Sequence, residues 1–396
     1  MLRLAGAGLG LAAGGAALTG CGPEAEADGP AAKGPDQGTA APDGGFTTPP
    51  PGTAPKPLWQ EEAAFGALGS LDALAVAGST VLVSGDPLVG RDLATGEERW
   101  SRKGAAVPGA RLILGGGTLY LTSTEYDGDL VGLDPATGKE TWRSRLGGRV
   151  DLPRPIAADG ERVYVLAGLL AEDNSTPESV VAAIDTRTGK VAWSERRDAG
   201  TAEHGITSTV AGPHLVYTDQ RRNVTVRDAA TGRQRWTKKI GRSNFVRLAV
   251  HQGLVIVADG DRLRAFDAVT GTERWTLATD AGSTFNGPAV LDGVLHVSDS
   301  GRTLWAVDPA TGKRIWRNED LGEAAYPVQF ARAGGTLYGA TQFDAEGGVH
   351  AYEARTGRLR WTYNDGSGSG EQWYVTGSGQ RLVAMHGRRV TGLPAV

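Results

Sequence analysis

Asp308 to Trp316 reads DPATGKRIW, and the same nine-residue frame stands at six other places. They are Asp92 to Trp100 (DLATGEERW), Asp134 to Trp142 (DPATGKETW), Asp185 to Trp193 (DTRTGKVAW), Asp228 to Trp236 (DAATGRQRW), Asp267 to Trp275 (DAVTGTERW) and Glu353 to Trp361 (EARTGRLRW). Within each, the acid lies eight residues before the Trp, Thr five before it and Gly four before it, while the distance from one Trp to the next varies between 39 and 51. A spacing that is invariant inside the unit and elastic between units marks a repeated structural element. The acid can accept turn N–H groups, and the Gly can take a positive φ that a Cβ would penalise, so the chain reverses there. Three residues on from the residue after that Gly, the Trp arrives on the returning strand, where its ring can cover the next unit and its N–H can still reach an acceptor.

Two further β-like runs precede each hairpin, for example Leu248-Ala249-Val250 and Leu254-Val255-Ile256-Val257-Ala258. Four strands in about 42 residues make one blade of a β-propeller. After Trp361 the chain supplies three more strands, near Trp373-Tyr374-Val375, Arg381 to His386 and Val390 to Ala395, but no turn or Trp follows. At the other end Trp59 stands 41 residues before Trp100 with no hairpin ahead of it. The expected fold is therefore all-β: eight four-stranded blades, with the N-terminal strand completing the last one and removing its exposed edge. The expected inter-blade staples are Trp59, Trp100, Trp142, Trp193, Trp236, Trp275, Trp316 and Trp361; Trp305 and Trp373 fall outside the series.

Composition agrees with this. At 396 residues the chain is too long for one ordinary core. Its 59 Gly and ten Trp against two Met favour turns and rigid anchors. A net charge of −4 gives no reason to expect a nucleic-acid partner. Residues 1–20 read as an export signal, with Arg3 ahead of a small-and-apolar run that is too short to span a bilayer. It ends in Leu18-Thr19-Gly20-Cys21, similar to the bacterial lipobox, and the chain has no other Cys. Cys21 is thus the expected lipidation site and membrane attachment; an ordinary secretory signal with a stray thiol is the plainer alternative. Residues 21–57, rich in Pro, Gly, Ala and acids, are expected to form a tether with a reach on the order of 30 Å, and 58–396 the propeller.

The hairpins resemble those of the pyrroloquinoline-quinone (PQQ) repeat family, whose tryptophan-docking frame is Ala-x-Asp-x-x-Thr-Gly-x-x-x-Trp. Ala306 to Trp316 fits it throughout, and the small first position is Gly90, Gly132, Ala183, Ala265, Ala306 and Ala351, with Val226 the exception. That family holds both quinoprotein dehydrogenases and non-catalytic propellers. Its enzymes imply a longer chain, often a vicinal cysteine pair, a calcium site and an axial catalytic Asp. This chain has a single Cys, no Cys-x-x-Cys-His, and no cluster alignable to the calcium ligands. In size and plan it is similar to the BamB-type lipoprotein propellers, which implies a role as an accessory binding subunit at the cell envelope.

Other chemistry finds no support in the residues. His204, His214, His251, His296, His350 and His386 are scattered without metal-ligand spacing, and no metal or cofactor is expected. Asp219, Asp259 and Asp299 sit at matching places and read as turn formers. Arg221, Arg222, Lys238, Lys239 and Arg242 read as a solvated rim. Insertions cluster instead in the connections opposite the Thr-Gly hairpins: 124–129, 171–179, 342–348 and 364–371. Tyr126, Asp127, Glu172, Asp173, Phe343 and Asp344 are the expected partner-facing residues there. The expected function is a lipid-anchored, extracytoplasmic, non-catalytic scaffold, monomeric and bound to envelope proteins; a sensor or ligand-binding propeller and a small PQQ-dependent dehydrogenase are the alternatives.

Overall fold

The computed structural model describes residues 50, 52–63, 73–106, 110–125, 127–146, 150–173, 175–176, 178–197, 206–219, 221–240, 247–319, 321 and 326–396. Cys21 and the expected signal lie outside them, as do Tyr126 and Arg242. The described residues form eight antiparallel four-stranded sheets. Blades one to seven occupy 74–102, 113–143, 150–197, 208–239, 247–278, 289–318 and 329–363, each in sequential meander order. Blade eight takes its inner three strands from 373–394 and its outer strand from Trp59–Glu62, paired Trp59 to Gly392 and Glu62 to Arg389.

Why the hairpins form is visible atom by atom. In blade one, Asp92 Oδ1 accepts the Ala94 and Thr95 N–H groups at 2.8 and 3.0 Å, and Gly96 N donates back to Asp92 O at 2.9 Å. The seven hairpin glycines lie at φ from 67° to 78°, where only Gly is unstrained. Turn N–H and hydroxyl donors hold the carboxyls of Asp185, Asp267 and Asp308 below the usual carboxylate range.

The apolar core is distributed between blades: eight clusters of buried side chains, one at each interface of the ring. Six indoles bridge these interfaces in one geometry. Trp59, Trp100, Trp193, Trp236, Trp275 and Trp316 each donate Nε1–H to the carbonyl one residue after the next blade's hairpin acid, at 2.9 to 3.2 Å. At the same six interfaces the hairpin Gly lies flat on the indole, so that a Cβ there would fall 2.3 to 3.0 Å from a ring atom. Opposite the Trp, Gly90 and Gly392 leave no space either: a Cβ would sit 2.2 Å from Trp100 and 2.1 Å from Trp59.

Trp142 and Trp361 depart from the pattern, and their buried Nε1 atoms have no hydrogen-bond partner among the described residues. Blade eight has no hairpin to offer Trp361. Its place is taken by residues expected to belong to the tether: Gly52 N donates to Arg360 O at 2.7 Å, Ala54 packs on the cluster that contains Trp361, and Pro55 is buried. The body thus reaches back to Gly52, six residues before the expected boundary at Leu58. At blade three the hairpin has shifted: Gly189 lies over the Arg143 carbonyl instead of the Trp142 ring, and Trp142 packs edge-on against Tyr120 at 5.3 Å.

Candidate functional site: the rim of blades seven and eight

Loops joining the second and third strands, and connections between blades, emerge at the ends of the strands opposite the Thr-Gly turns. The structure distributes the expected partner-facing residues over this side, with Asp127 on blade two, Glu172 and Asp173 on blade three, and Phe343 and Asp344 on blade seven. The first group is tied into its own loops. Arg143 gathers Asp127, Glu125 and Glu140 at 2.7, 3.1 and 2.8 Å. Burial raises the Asp127 carboxyl, but the Asp129 N–H, Ser123 and Arg143 outweigh it and hold it below its usual range. Asp173 accepts both the N–H and the hydroxyl of Ser175, and Glu172 is exposed. Two of the three matching aspartates act as turn formers, Asp219 accepting Asn223 N at 3.0 Å and Asp299 accepting Thr303 N at 3.1 Å and Trp305 Nε1 at 2.8 Å, while the Asp259 carboxylate pairs with Arg264 at 3.3 Å.

Blade seven presents something different. Phe343 is 76% exposed, the most exposed large apolar side chain among the described residues, and it sits at φ 55°. A bulky L-residue in the left-handed region is strained by about 1 kcal/mol or more and persists only where its surroundings over-determine it. Those surroundings are densely hydrogen-bonded. Asp344 closes the loop by accepting Glu346 N at 3.0 Å on its side chain and Gly347 N at 3.1 Å on its carbonyl. Thr341 Oγ1 accepts Gly348 N at 2.8 Å, and Asn364 Nδ2 reaches in from the blade connection to donate to the Ala345 and Gly347 carbonyls.

The connection itself, 364–372, is clamped on blade eight. The Asp365 side chain is 3% exposed and accepts from His386 Nδ1 at 3.2 Å, from Ser367 N and from Arg389 at 3.4 Å. Burial pushes this carboxyl up, yet hydrogen bonds from Ser367 and His386 prevail and hold it below the ordinary range. His386 in turn stacks on Trp373, ring centroids 4.2 Å apart and planes 5° from parallel. Ser, His and Asp in contact suggest a nucleophilic triad, but the geometry is wrong for one. Ser367 Oγ and Asp365 Oδ2 both face Nδ1, whereas a triad needs the carboxylate on one ring nitrogen and the hydroxyl on the other. His386 Nε2 is buried and has no hydrogen-bond partner among the described residues. The constellation is a clamp. Sequence reasoning singled out this connection as an insertion but missed the clamp, because Asp365 and His386 are brought together only by the pairing of Trp373 with His386 across blade eight. Among the described residues no group of three or more His, Cys, Asp or Glu is arranged to hold a metal ion.

Comparison with known proteins places this architecture. The PQQ-type family model described as outer membrane protein assembly factor BamB matches residues 88–247 and 243–390. Curated relatives include the serine/threonine-protein kinase AfsK of Streptomyces griseus, 32% identical over 34% of this chain and 18% of that protein. The tetrathionate hydrolase of Acidithiobacillus ferrooxidans is 22% identical over 55% and 46%, and the assembly factor BamB of Shewanella oneidensis is 24% identical over 52% and 54%. This chain thus spans little more than half, or less, of the length of these relatives. Among solved structures, BamB from Moraxella catarrhalis superposes with a TM-score of 0.57 at 17% identity, covering 85% of this chain and all of that one. A quinohemoprotein alcohol dehydrogenase from Comamonas testosteroni gives 0.56 at 13%, covering 86% and 76%. At such identities the structural likeness carries the fold alone, but the family model spans most of the propeller, so this chain belongs to the PQQ-type propeller family described by outer membrane protein assembly factor BamB.

Proposed function

We propose that this chain is a non-catalytic protein-binding propeller of the cell envelope, held at the membrane by a lipid on Cys21, and that it engages a protein partner through the rim of blades seven and eight. The observation that carries the reading is Phe343: a solvated aromatic ring, held at a strained backbone angle by a loop that Asn364 braces. Aromatic anchors on rigid loops are the residues that dominate protein interfaces when covered. The acidic neighbours Asp344 and Glu346 favour a partner with a basic rim around an apolar pocket. The relative named as an assembly factor supports a binding role, as does the use of the Asp365, Ser367 and His386 cluster for clamping.

The test is capture of partners from the cell's own membranes by the full chain, compared with Phe343→Ala. Loss of the anchor is expected to weaken capture at least about 30-fold, as for a hot-spot residue of 2 kcal/mol or more, with an unchanged melting temperature. Equal capture by both chains would remove Phe343 from the interface. A saturable thermal shift on adding PQQ with calcium, accompanied by dye-linked alcohol oxidation, would replace the scaffold with the quinoprotein alternative. Cys21→Ser is expected to release the protein from membranes, and continued detergent-dependent partitioning would refute the anchor.

A further inference from the structure

The hairpin of blade seven handles charge differently from its companions. In three other hairpins the residue before the Trp is also Arg, and its guanidinium closes on the hairpin's own acid: Arg99 on Asp92 at 2.5 Å, Arg235 on Asp228 at 2.7 Å and Arg274 on Asp267 at 3.5 Å. In blade seven that acid is Glu353, one methylene longer, and it is taken by Arg358 at 3.4 Å and by the Thr356 hydroxyl at 3.0 Å. Arg360 keeps the threonine contact that Arg99 makes with Thr80, donating to Thr336 Oγ1 at 3.3 Å, but no carboxylate pairs with it among the described residues. Arg355, at a position filled by Ala94, Ala136, Ala230 and Ala310, by Val269 and by Arg187 in the other hairpins, is exposed and has no partner among the described residues. Arg332 completes the group from the first strand of the blade, its Nε 3.0 Å from Asp292.

Arg332, Arg355 and Arg360, with Thr336, line an open groove of about 380 Å³ on the hairpin side of the ring, at the opposite end of the strands from Phe343. Counting Arg358 with these three arginines, four positive charges face the two carboxylates of Glu353 and Asp292, a surplus of two. We infer that this groove is a binding site for a phosphoryl group. A phosphate monoester carries a charge of about −1.5 to −2 near neutral pH, which matches the surplus, whereas a single carboxylate would leave half of it uncompensated. Planar guanidinium forks and a hydroxyl are the donors suited to a tetrahedral oxyanion. The source of the phosphoryl group is either a soluble monoester or a lipid headgroup.

Calorimetric titration of the full chain, carrying Cys21→Ser so that no acyl chain contributes, with inorganic phosphate at low ionic strength tests the site. Saturable binding is expected, weakened about tenfold or more in Arg355→Ala, and likewise in Thr336→Val, which loses the hydroxyl and keeps the shape. Arg99→Ala, which removes an equal charge from a neutralised hairpin, is expected to bind like the parent. Co-sedimentation with vesicles containing phosphatidic acid, whose headgroup is itself a monoester, against phosphatidylcholine vesicles, identifies the source: sedimentation with the former alone, lost in Arg355→Ala, assigns a lipid headgroup, while phosphate binding without sedimentation assigns a soluble monoester. Absence of both phosphate and vesicle binding, or equal binding by the parent and Arg355→Ala, would overturn the site.

Discussion

His296 lies on the second strand of blade six with 1% of its surface exposed, its ring 6.0 Å from Trp316 and 6.4 Å from Phe330. Neither ring nitrogen has a hydrogen-bond partner among the described residues. Burial, reinforced by the charge of Arg332, depresses its pKa to about 4 against the partial opposition of Asp292. An unfolded chain binds the His296 proton near pH 6.5, and the folded chain binds it only near 4, so the unfolded state holds more protons across that window. Stability then falls as pH drops from 6.5 to 4, by roughly 3 kcal/mol for this one group. His214, held low by its burial and by Arg235, adds to the loss in the same sense. Urea denaturation midpoints measured at pH 7 and 4.5 check this: His296→Leu is expected to flatten the pH dependence by up to one proton's worth, and an unchanged slope would show that the ring is solvated in the folded state. From the sequence this histidine is one of six without ligand spacing; its burial depends on blade seven's Phe330, a contact that no local pattern encodes.

Hairpins and the indoles that cover them set the next scale. Trp236 donates to Ala268 O at 3.0 Å, whereas the buried Nε1 of Trp142 has no hydrogen-bond partner among the described residues. Replacing Trp236 by Phe strands a buried carbonyl acceptor, and replacing Trp142 by Phe removes an orphaned donor, so the two substitutions differ in sign in their polar part. Trp236→Phe is expected to destabilise by about 1–3 kcal/mol more than Trp142→Phe in chemical denaturation. Equal losses would mean that the indole N–H contributes nothing to docking. The repeat itself is readable because acid, Gly and Trp must keep one register for the turn to close and the ring to land, and this exposes the staple in seven linear copies. The exceptions are not readable in that way. At the displaced hairpin Thr186 holds the position of the docking carbonyl; its N–H bonds Glu161 O just as Leu93, Ala229 and Ala268 bond their own turns, and what sets it apart is a hydroxyl that also donates to Glu161 O at 2.9 Å. The phosphoryl groove likewise emerges only when the partners of Arg360 are compared with those of Arg99, Arg235 and Arg274, since all four occupy the same position in the repeat.

At the scale of the ring, closure depends on a four-residue strand. Trp59–Glu62 supplies the outer edge of blade eight, and three contacts fasten it to both neighbouring blades, Trp59 Nε1 to Leu93 O at 3.2 Å, Arg91 to Glu61 at 3.3 Å and Gln60 Nε2 to the Tyr363 hydroxyl at 3.1 Å, while Ala63 N extends its pairing within blade eight by donating to Arg388 O at 2.7 Å. The strand therefore bridges blades seven, eight and one while contributing few residues. Its pairing could be anticipated from counting hairpins, because a blade with three strands at one end of the chain and a lone Trp at the other complete each other. Removing residues 1–63 is expected to lower the melting temperature and to expose the 389–392 edge, which then pairs with a second copy, so the truncated chain self-associates with rising concentration while the full chain stays monomeric in light scattering. Gly392→Ala separates the indole from the strand. A Cβ placed 2.1 Å from Trp59 Cε2 must displace the ring, costing about 1–3 kcal/mol by overpacking while leaving the backbone pairing in place. Monomeric behaviour of the truncated chain together with an unaltered melting temperature would show that seven blades and a three-stranded eighth hold the ring shut without their N-terminal clasp.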